Sequence, residues 1–79
     1  MKAKVYVTLK SGVLDPQGQA VARALGRLGF AEVKDARIGK YIEMQIDDSV
    51  KDVDAHLKQM CEKLLANTVI EEYRFEIIQ

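Results

Sequence analysis

The sequence contains little of what small proteins use to cross-link themselves. Among its 79 residues Cys61 is the only cysteine and His56 the only histidine. No disulfide can form within the chain, and a structural zinc site, which needs about four nitrogen or sulfur ligands, is excluded. A core of this length seldom supplies more than about 3–5 kcal/mol. We therefore expect a single domain over residues 1–79 that gains stability by self-association.

Net charge and long apolar runs are also missing. Twelve basic and twelve acidic residues cancel, and this excludes the strongly basic surface that nucleic-acid binding requires. No stretch approaches the roughly 18 apolar residues of a membrane span, and the N-terminus has no apolar run typical of a signal peptide. We expect a cytoplasmic protein that binds neither nucleic acid nor a membrane.

Motifs that carry catalysis are absent as well. There is no Walker loop, no Gly-x-Gly-x-x-Gly, no His-Glu pair at metal spacing and no Gly-x-Ser-x-Gly elbow. His56 stands alone on a predicted helix, where a general base has no partner. Cys61 falls on the apolar stripe of the same helix, where a thiol behaves as a small hydrophobic side chain. We expect no catalytic residue, no metal site and no cofactor bound by this chain.

What the sequence does contain is clear periodicity. Alternating apolar and polar residues predict strands, and apolar residues at helical spacing predict two helices, the first with the stripe Val21, Leu25 and Leu28 and the second opened by a capping box at Ser49. The order is βαββαβ, which predicts an α+β ferredoxin-like sandwich: a four-stranded antiparallel sheet with two helices on one face. The strands are predicted over residues 4–10, 30–38, 41–47 and 68–78, and the helices over 16–28 and 50–66.

The turn between the first strand and the first helix is the most informative stretch. Asp15 is placed to cap a helix whose first residue is Pro16, where the missing N–H has no cost. The flanking Gly12 and Gly18 suggest an anion site at this helix start, but the Asp15 carboxylate would accept the same N–H groups and repel a phosphate. Gly18 lies inside the first turn, where glycine costs up to about 1 kcal/mol relative to alanine. Its presence indicates that another backbone or a ligand approaches closely.

Three stretches resemble one known family. They are Val13-Leu14-Asp15-Pro16-Gln17-Gly18, residues 33–43 with Arg37-Ile38-Gly39-Lys40, and residues 61–71. They occur in the order and at the spacing of the PurS family, the small subunits of phosphoribosylformylglycinamidine synthase. The resemblance implies a subunit of a glutamine-dependent, ATP-consuming ligase of purine biosynthesis that joins a glutaminase subunit to a large synthetase subunit and assists ammonia transfer. It also implies that ATP, magnesium and glutamine are used by those other subunits, and that this chain forms a dimer or a pair of dimers.

Two turns are the candidate contacts with partner subunits, because rigid turns that carry charged and amide groups suit recognition. The candidate residues are Asp15, Pro16, Gln17 and Gly18 in the first turn and Arg37, Gly39 and Lys40 in the second. The main alternative is a regulatory module of the ACT kind, which shares the topology and binds an amino acid at a dimer interface. The pattern leaves open which face dimerises.

Overall fold

The computed structural model describes all residues from 1 to 79. Strand β1 spans Lys2–Leu9, helix α1 Pro16–Arg27, strand β2 Lys40–Gln45, helix α2 Val53–Met60, a π-helix Cys61–Leu65 and strand β3 Glu71–Ile78. β1 is the central strand and pairs antiparallel with both neighbours, in the order β2-β1-β3. None of the helices combines the length and the apolar character needed to span a bilayer.

The hydrophobic core lies between one face of this sheet and α2. The alternation along β1 places Ala3, Val5 and Val7 on that face, where each is at most 1% exposed. Leu57 of α2 and Cys61 of the π-helix pack onto them and are fully buried. These positions confirm the second predicted helix and the first, third and last predicted strands.

The strand predicted over residues 30–38 is wrong, and with it the four-stranded sheet. This segment has no regular secondary structure, because its backbone groups are engaged elsewhere. The N–H of Ile38 donates to the Asp15 carboxylate. The Arg37 guanidinium donates to the carbonyl oxygens of Leu9 and Lys10. A segment held in this way cannot form a ladder with the free edge of β2.

The expectation that two helices cover one face of the sheet is also wrong. Residues 10–39, which we call the arm, leave the sheet at the end of β1 and return to the same end at the start of β2, since Val7 pairs with Lys40. No residue of the arm belongs to the hydrophobic core, and none of the partly buried apolar side chains that pack against the core comes from the arm. The molecule is accordingly elongated, with extents of 51 × 26 × 14 Å and a radius of gyration of 16.0 Å, against about 12 Å for a compact chain of this length.

Helix α2 begins later than its capping box predicts. The N–H of Ser49 donates to the Asp47 carboxylate in a local turn, and Asp52 adopts the left-handed conformation with φ of 56°. The helix starts only after Asp52, at Val53, and no side chain caps it. A capping motif identifies residues that favour a helix start, but an acidic residue two positions upstream offered the backbone an alternative.

The π-helix changes which side chains α2 buries. The N–H of Ala66 donates to the carbonyl of Cys61 at 2.9 Å, so this turn contains one more residue than an α-helical turn. Cys61 stays in the core, but Leu64, which α-helical spacing places on the same stripe, is 83% exposed.

Replacing Leu57 tests the packing of the core. Leu57→Ala should lower the free energy of unfolding by about 2–5 kcal/mol, because it leaves a cavity between α2 and β1. The adjacent His56 is exposed, and His56→Ala should change it by less than about 0.5 kcal/mol. Urea denaturation at one fixed protein concentration measures both, and equal effects would contradict the packing of α2 on β1.

Candidate subunit-contact site

The base of the arm is organised by the Asp15 side chain. Its Oδ1 accepts the N–H of Gly18 at 2.8 Å, which confirms the predicted helix cap, and its Oδ2 accepts the N–H of Ile38 at 2.9 Å. Asp15 as a residue is only 6% exposed. The hydrogen bonds from Ile38 and Gly18, together with the nearby Arg37 charge, lower the pKa of Asp15 although its burial opposes this shift. One carboxylate thus joins the two predicted contact turns.

Gly18 is required by a close approach within the chain itself. A Cβ atom at this position would overlap the carbonyl oxygen of Ala36 and lie 2.9 Å from the Asp15 carboxylate. The sequence indicated that another backbone or a ligand comes near, and the structure places the backbone of the returning segment of the arm there. Gly18 is buried, and its lack of a side chain allows the two turns to pack closely.

Arg37 and Gly39 close the second turn onto β1. The Arg37 guanidinium donates to the carbonyls of Leu9 at 2.8 Å and Lys10 at 3.0 Å, which lie at the end of β1, beyond its last pair with β2. A Cβ at Gly39 would overlap the carbonyl oxygen of Val7. Both entry and exit of the arm are therefore fixed to the sheet by backbone contacts.

Beside these contacts lies an open cavity of about 380 Å³. Lys40 borders it and extends its Nζ to the carbonyl of Leu65 at 3.3 Å and to the Glu71 carboxylate at 3.9 Å. Pro16 and Gln17 also line the cavity and are exposed. The groups that border the cavity thus include an amide, an ammonium and a rigid proline ring.

The structure brings all seven predicted contact residues together at the base of the arm. Five of them line the cavity: Asp15, Pro16, Gln17, Gly39 and Lys40. Gly18 and Arg37 lie behind it and hold the two turns in place. Sequence reasoning missed Thr8 and Glu71, which also line the cavity. The sequence shows that both residues belong to strands with an alternating pattern. It does not show the register that pairs Glu71, at the start of β3, with Leu9, at the end of β1.

A second polar surface lies on the sheet face opposite α2. Tyr6 and Tyr41 stack with ring centroids 5.2 Å apart, and the Arg74 guanidinium lies 4.0 Å above the Tyr6 ring. Tyr6 donates to Glu76 at 2.8 Å and Tyr41 donates to Glu43 at 2.9 Å. Burial, with the Glu43 hydrogen bond second, raises the pKa of Tyr41 to about 12. Both phenols therefore remain protonated donors at neutral pH.

The only histidine and the only cysteine lie outside both surfaces. No three His, Cys, Asp or Glu side chains lie together as metal ligands would. Burial raises the pKa of the Cys61 thiol, and the residue is fully buried in the core, as expected of an inert thiol. His56 is on the helix surface.

The fold defines the class as a small α+β protein with two helices and one three-stranded antiparallel sheet. The family model for PurS, described as phosphoribosylformylglycinamidine (FGAM) synthase, matches residues 2–79. The PurS subunit of Bacillus subtilis is 60% identical over 76 residues, which cover 96% of this chain and 90% of the relative. That of Mycobacterium leprae is 53% identical over 91% of this chain and 89% of its own length. The chain belongs to the PurS family of phosphoribosylformylglycinamidine synthase subunits.

Solved structures agree with this family assignment. A B. subtilis PurS crystal structure is 59% identical, with a TM-score of 0.91 over 99% of this chain and 98% of the other. A chain in the structure of PurLQS from Thermotoga maritima is 33% identical, with a TM-score of 0.85 over 98% of this chain and 95% of its own. The elongated three-stranded chain therefore has close structural counterparts.

Two glycines of α1 provide a matched test of the arm's base. Gly18→Ala should lower the free energy of unfolding by about 1–3 kcal/mol, because the added methyl group meets the Ala36 carbonyl. A Cβ atom at Gly26 would meet no neighbour within 4 Å, so Gly26→Ala should raise that free energy by up to about 1 kcal/mol through helix propensity. Urea denaturation measures both, and a stabilising Gly18→Ala would contradict the close approach.

Asp15→Asn tests whether the Asp15 carboxylate stabilises the fold. The amide cannot accept both N–H groups, so the variant should be less stable than the parent at pH 7. Because the pKa of Asp15 is lower in the folded than in the unfolded protein, its ionisation stabilises the fold above the unfolded value of about 3.9. This contribution is lost as pH falls through the lower folded pKa. Denaturation of both proteins between pH 7 and pH 2 should show the stability difference narrowing in acid, whereas a constant difference would contradict this role.

Proposed function

We propose that the chain is the non-catalytic adaptor of phosphoribosylformylglycinamidine synthase, joining its glutaminase subunit to its ATP-dependent synthetase subunit. The observation that carries this proposal is the base of the arm, where one buried carboxylate fixes two turns and presents Gln17 and Lys40 beside an open cavity. The T. maritima relative that shares 33% of the sequence is part of PurLQS, which supports a shared assembly.

The adaptor's contribution to the reaction is geometric. Ammonia released from glutamine has to reach the synthetase unprotonated and undiluted, so the two active sites have to be held in register and shielded from water. A surface suited to this purpose is rigid before binding, since ordering it on contact would reduce affinity. In this proposal ATP, magnesium and glutamine bind to the other subunits, and the complex works in the cytoplasm.

The proposal includes a homo-oligomer, a dimer or a pair of dimers. A compact monomer of 8.9 kDa exposes about 4,800 Å², whereas this chain exposes 5782 Å². The excess of about 1,000 Å² is similar to the roughly 800 Å² that each partner buries in a standard interface. In the same proposal the ferredoxin-like layer of two helices, which the single chain does not form, is completed between copies.

Matched variants test the contact surface. Gln17→Ala and Lys40→Ala should weaken assembly with the synthetase and glutaminase about five- to tenfold, as loss of a central interface side chain does. Gln19→Ala and Lys51→Ala change exposed residues of the same types outside the cavity and should leave assembly unchanged. Sedimentation gives the affinities, and glutamine-dependent synthesis should fall at limiting adaptor and recover when more variant is added.

Thermal unfolding of each variant separates a contact role from a folding role, because Lys40 also bonds within the chain. Normal assembly and normal glutamine-dependent turnover with Gln17→Ala and Lys40→Ala, in folded protein, would overturn the assignment of this surface.

A further inference from the structure

The turn that leads from the π-helix into β3 carries an apolar side chain that its own chain does not bury. We call residues 67–71 the 67–71 turn. Val69 within it is 80% exposed and belongs neither to the core nor to the side chains packed against it. Turns favour glycine, proline, asparagine, aspartate and serine over β-branched residues. Neither the packing of this chain nor the local conformation therefore accounts for a valine at this position.

The 67–71 turn is rigid because Asn67 bonds to three of its residues. The carbonyl of Asn67 accepts the N–H groups of Ile70 at 3.0 Å and Glu71 at 2.7 Å. The N–H of Asn67 donates to Glu71 Oε1 at 2.6 Å, and its side-chain oxygen accepts the N–H of Val69 at 3.2 Å. The side chain of valine has few rotamers, so Val69 loses little conformational entropy when a partner covers it.

The turn is continuous with the candidate contact site. Glu71, its last residue, lines the cavity at the base of the arm, and Glu71 Oε2 lies 3.9 Å from Lys40 Nζ. The carbonyl of Ile70 accepts the N–H of Lys10, the first residue of the arm, at 2.8 Å. The turn is thus fixed to the base of the arm on both sides of Ile70, and Val69 lies two residues from the cavity lining.

The surroundings of Val69 in the sequence carry no charge. Residues 64–70 contain no charged side chain, although 30% of the residues in this chain are charged. One other uncharged stretch is as long, residues 16–22, and it begins with Pro16 and Gln17 of the cavity. The centres of protein interfaces are depleted in charged residues. Both uncharged stretches therefore adjoin the cavity and suit the centre of one contact surface.

We propose that Val69 inserts into an uncharged apolar pocket of the partner subunit that binds the cavity, which makes the 67–71 turn a third element of the contact site. This proposal rests on the proposed function. The occupant is a different subunit of the synthase, and not a second copy of this chain, because the turn is continuous with the cavity that the proposed function assigns to the glutaminase or the synthetase. One aliphatic side chain in a fitted pocket, flanked by polar contacts such as those of Lys40, anchors an interface.

Replacement of Val69 tests the anchor. Val69→Ala should weaken binding to the synthetase and glutaminase about tenfold, because the pocket loses about two methylene equivalents. Val69→Thr keeps the shape but buries a hydroxyl group, and it should weaken binding at least as much. Val50→Ala shortens a valine in a turn outside the cavity and should leave binding unchanged. Sedimentation of the reconstituted synthase gives the affinities.

Two further measurements separate an anchor from a structural residue. Because Val69 is 80% exposed, both variants should match the parent in thermal unfolding and, by light scattering, in oligomeric state. Binding as tight as that of the parent would overturn the proposal. A lower unfolding temperature would give Val69 a structural role, and a changed oligomeric state would place it between copies of this chain, so either result also contradicts the anchor.

Photo-cross-linking identifies the chain that covers Val69. A diazirine-bearing side chain in place of Val69, irradiated in the purified synthase, should join this chain to the synthetase or the glutaminase, and mass spectrometry of the product locates the pocket. The same group in place of Val50 is the matched control and should join this chain to neither. Cross-links to a second copy alone, or to no subunit, overturn the proposal.

The parent protein keeps this proposal distinct from the proposed function. If the parent assembles with the synthetase and the glutaminase while Val69→Ala and Val69→Thr bind as tightly, the anchor is wrong and the adaptor function stands. If the folded parent does not assemble with either subunit, the proposed function fails and the anchor fails with it.

Discussion

The two hydrogen bonds accepted by the Asp15 carboxylate determine much of this structure. The bond from Gly18 starts α1, and the bond from Ile38 fixes the segment that returns from it. Because Ile38 donates to a side chain, its segment cannot serve as a fourth strand. Because the returning segment crosses the first turn of α1, that turn has to contain glycine. One buried carboxylate thus joins the outgoing and the returning segments of the thirty-residue arm through hydrogen bonds with backbone N–H groups.

Features encoded over a few residues could be predicted from the sequence. Alternation along β1 and β3 predicted both strands and most of the side chains that they contribute to the core, and Asp15 with Pro16 located the start of α1 to the residue. Gly18 was recognisable as an anomaly because glycine is unfavourable inside a helix. The same reasoning drew the seven contact residues from two separate turns, and the structure places these turns against each other.

The parts that escaped prediction depend on contacts distant in the sequence. Nothing in residues 30–38 reveals that the N–H of Ile38 donates to Asp15, and without that bond the apolar residues of this segment fit a strand. The π-helix is equally hard to predict, since its residues favour an α-helix and the extra residue per turn becomes visible only as an exposed Leu64. A local turn such as Asp47 to Ser49 differs from a helix start at the same residues by a small free energy. Residue propensities alone do not show which of the two is more stable.

The small core of this chain is related to its role as a subunit of a larger assembly. Only eight of 79 residues are buried, so much of the free energy that orders this chain has to come from surfaces it meets in other copies or subunits. Binding that favours the folded state adds to its stability in proportion to the logarithm of partner concentration. Asp15 and Arg37 hold the two turns in place by hydrogen bonds with backbone groups. Local hydrogen bonds therefore fix the shape of these turns, and in the proposed assembly contact with other chains adds the stability that so small a core seldom supplies.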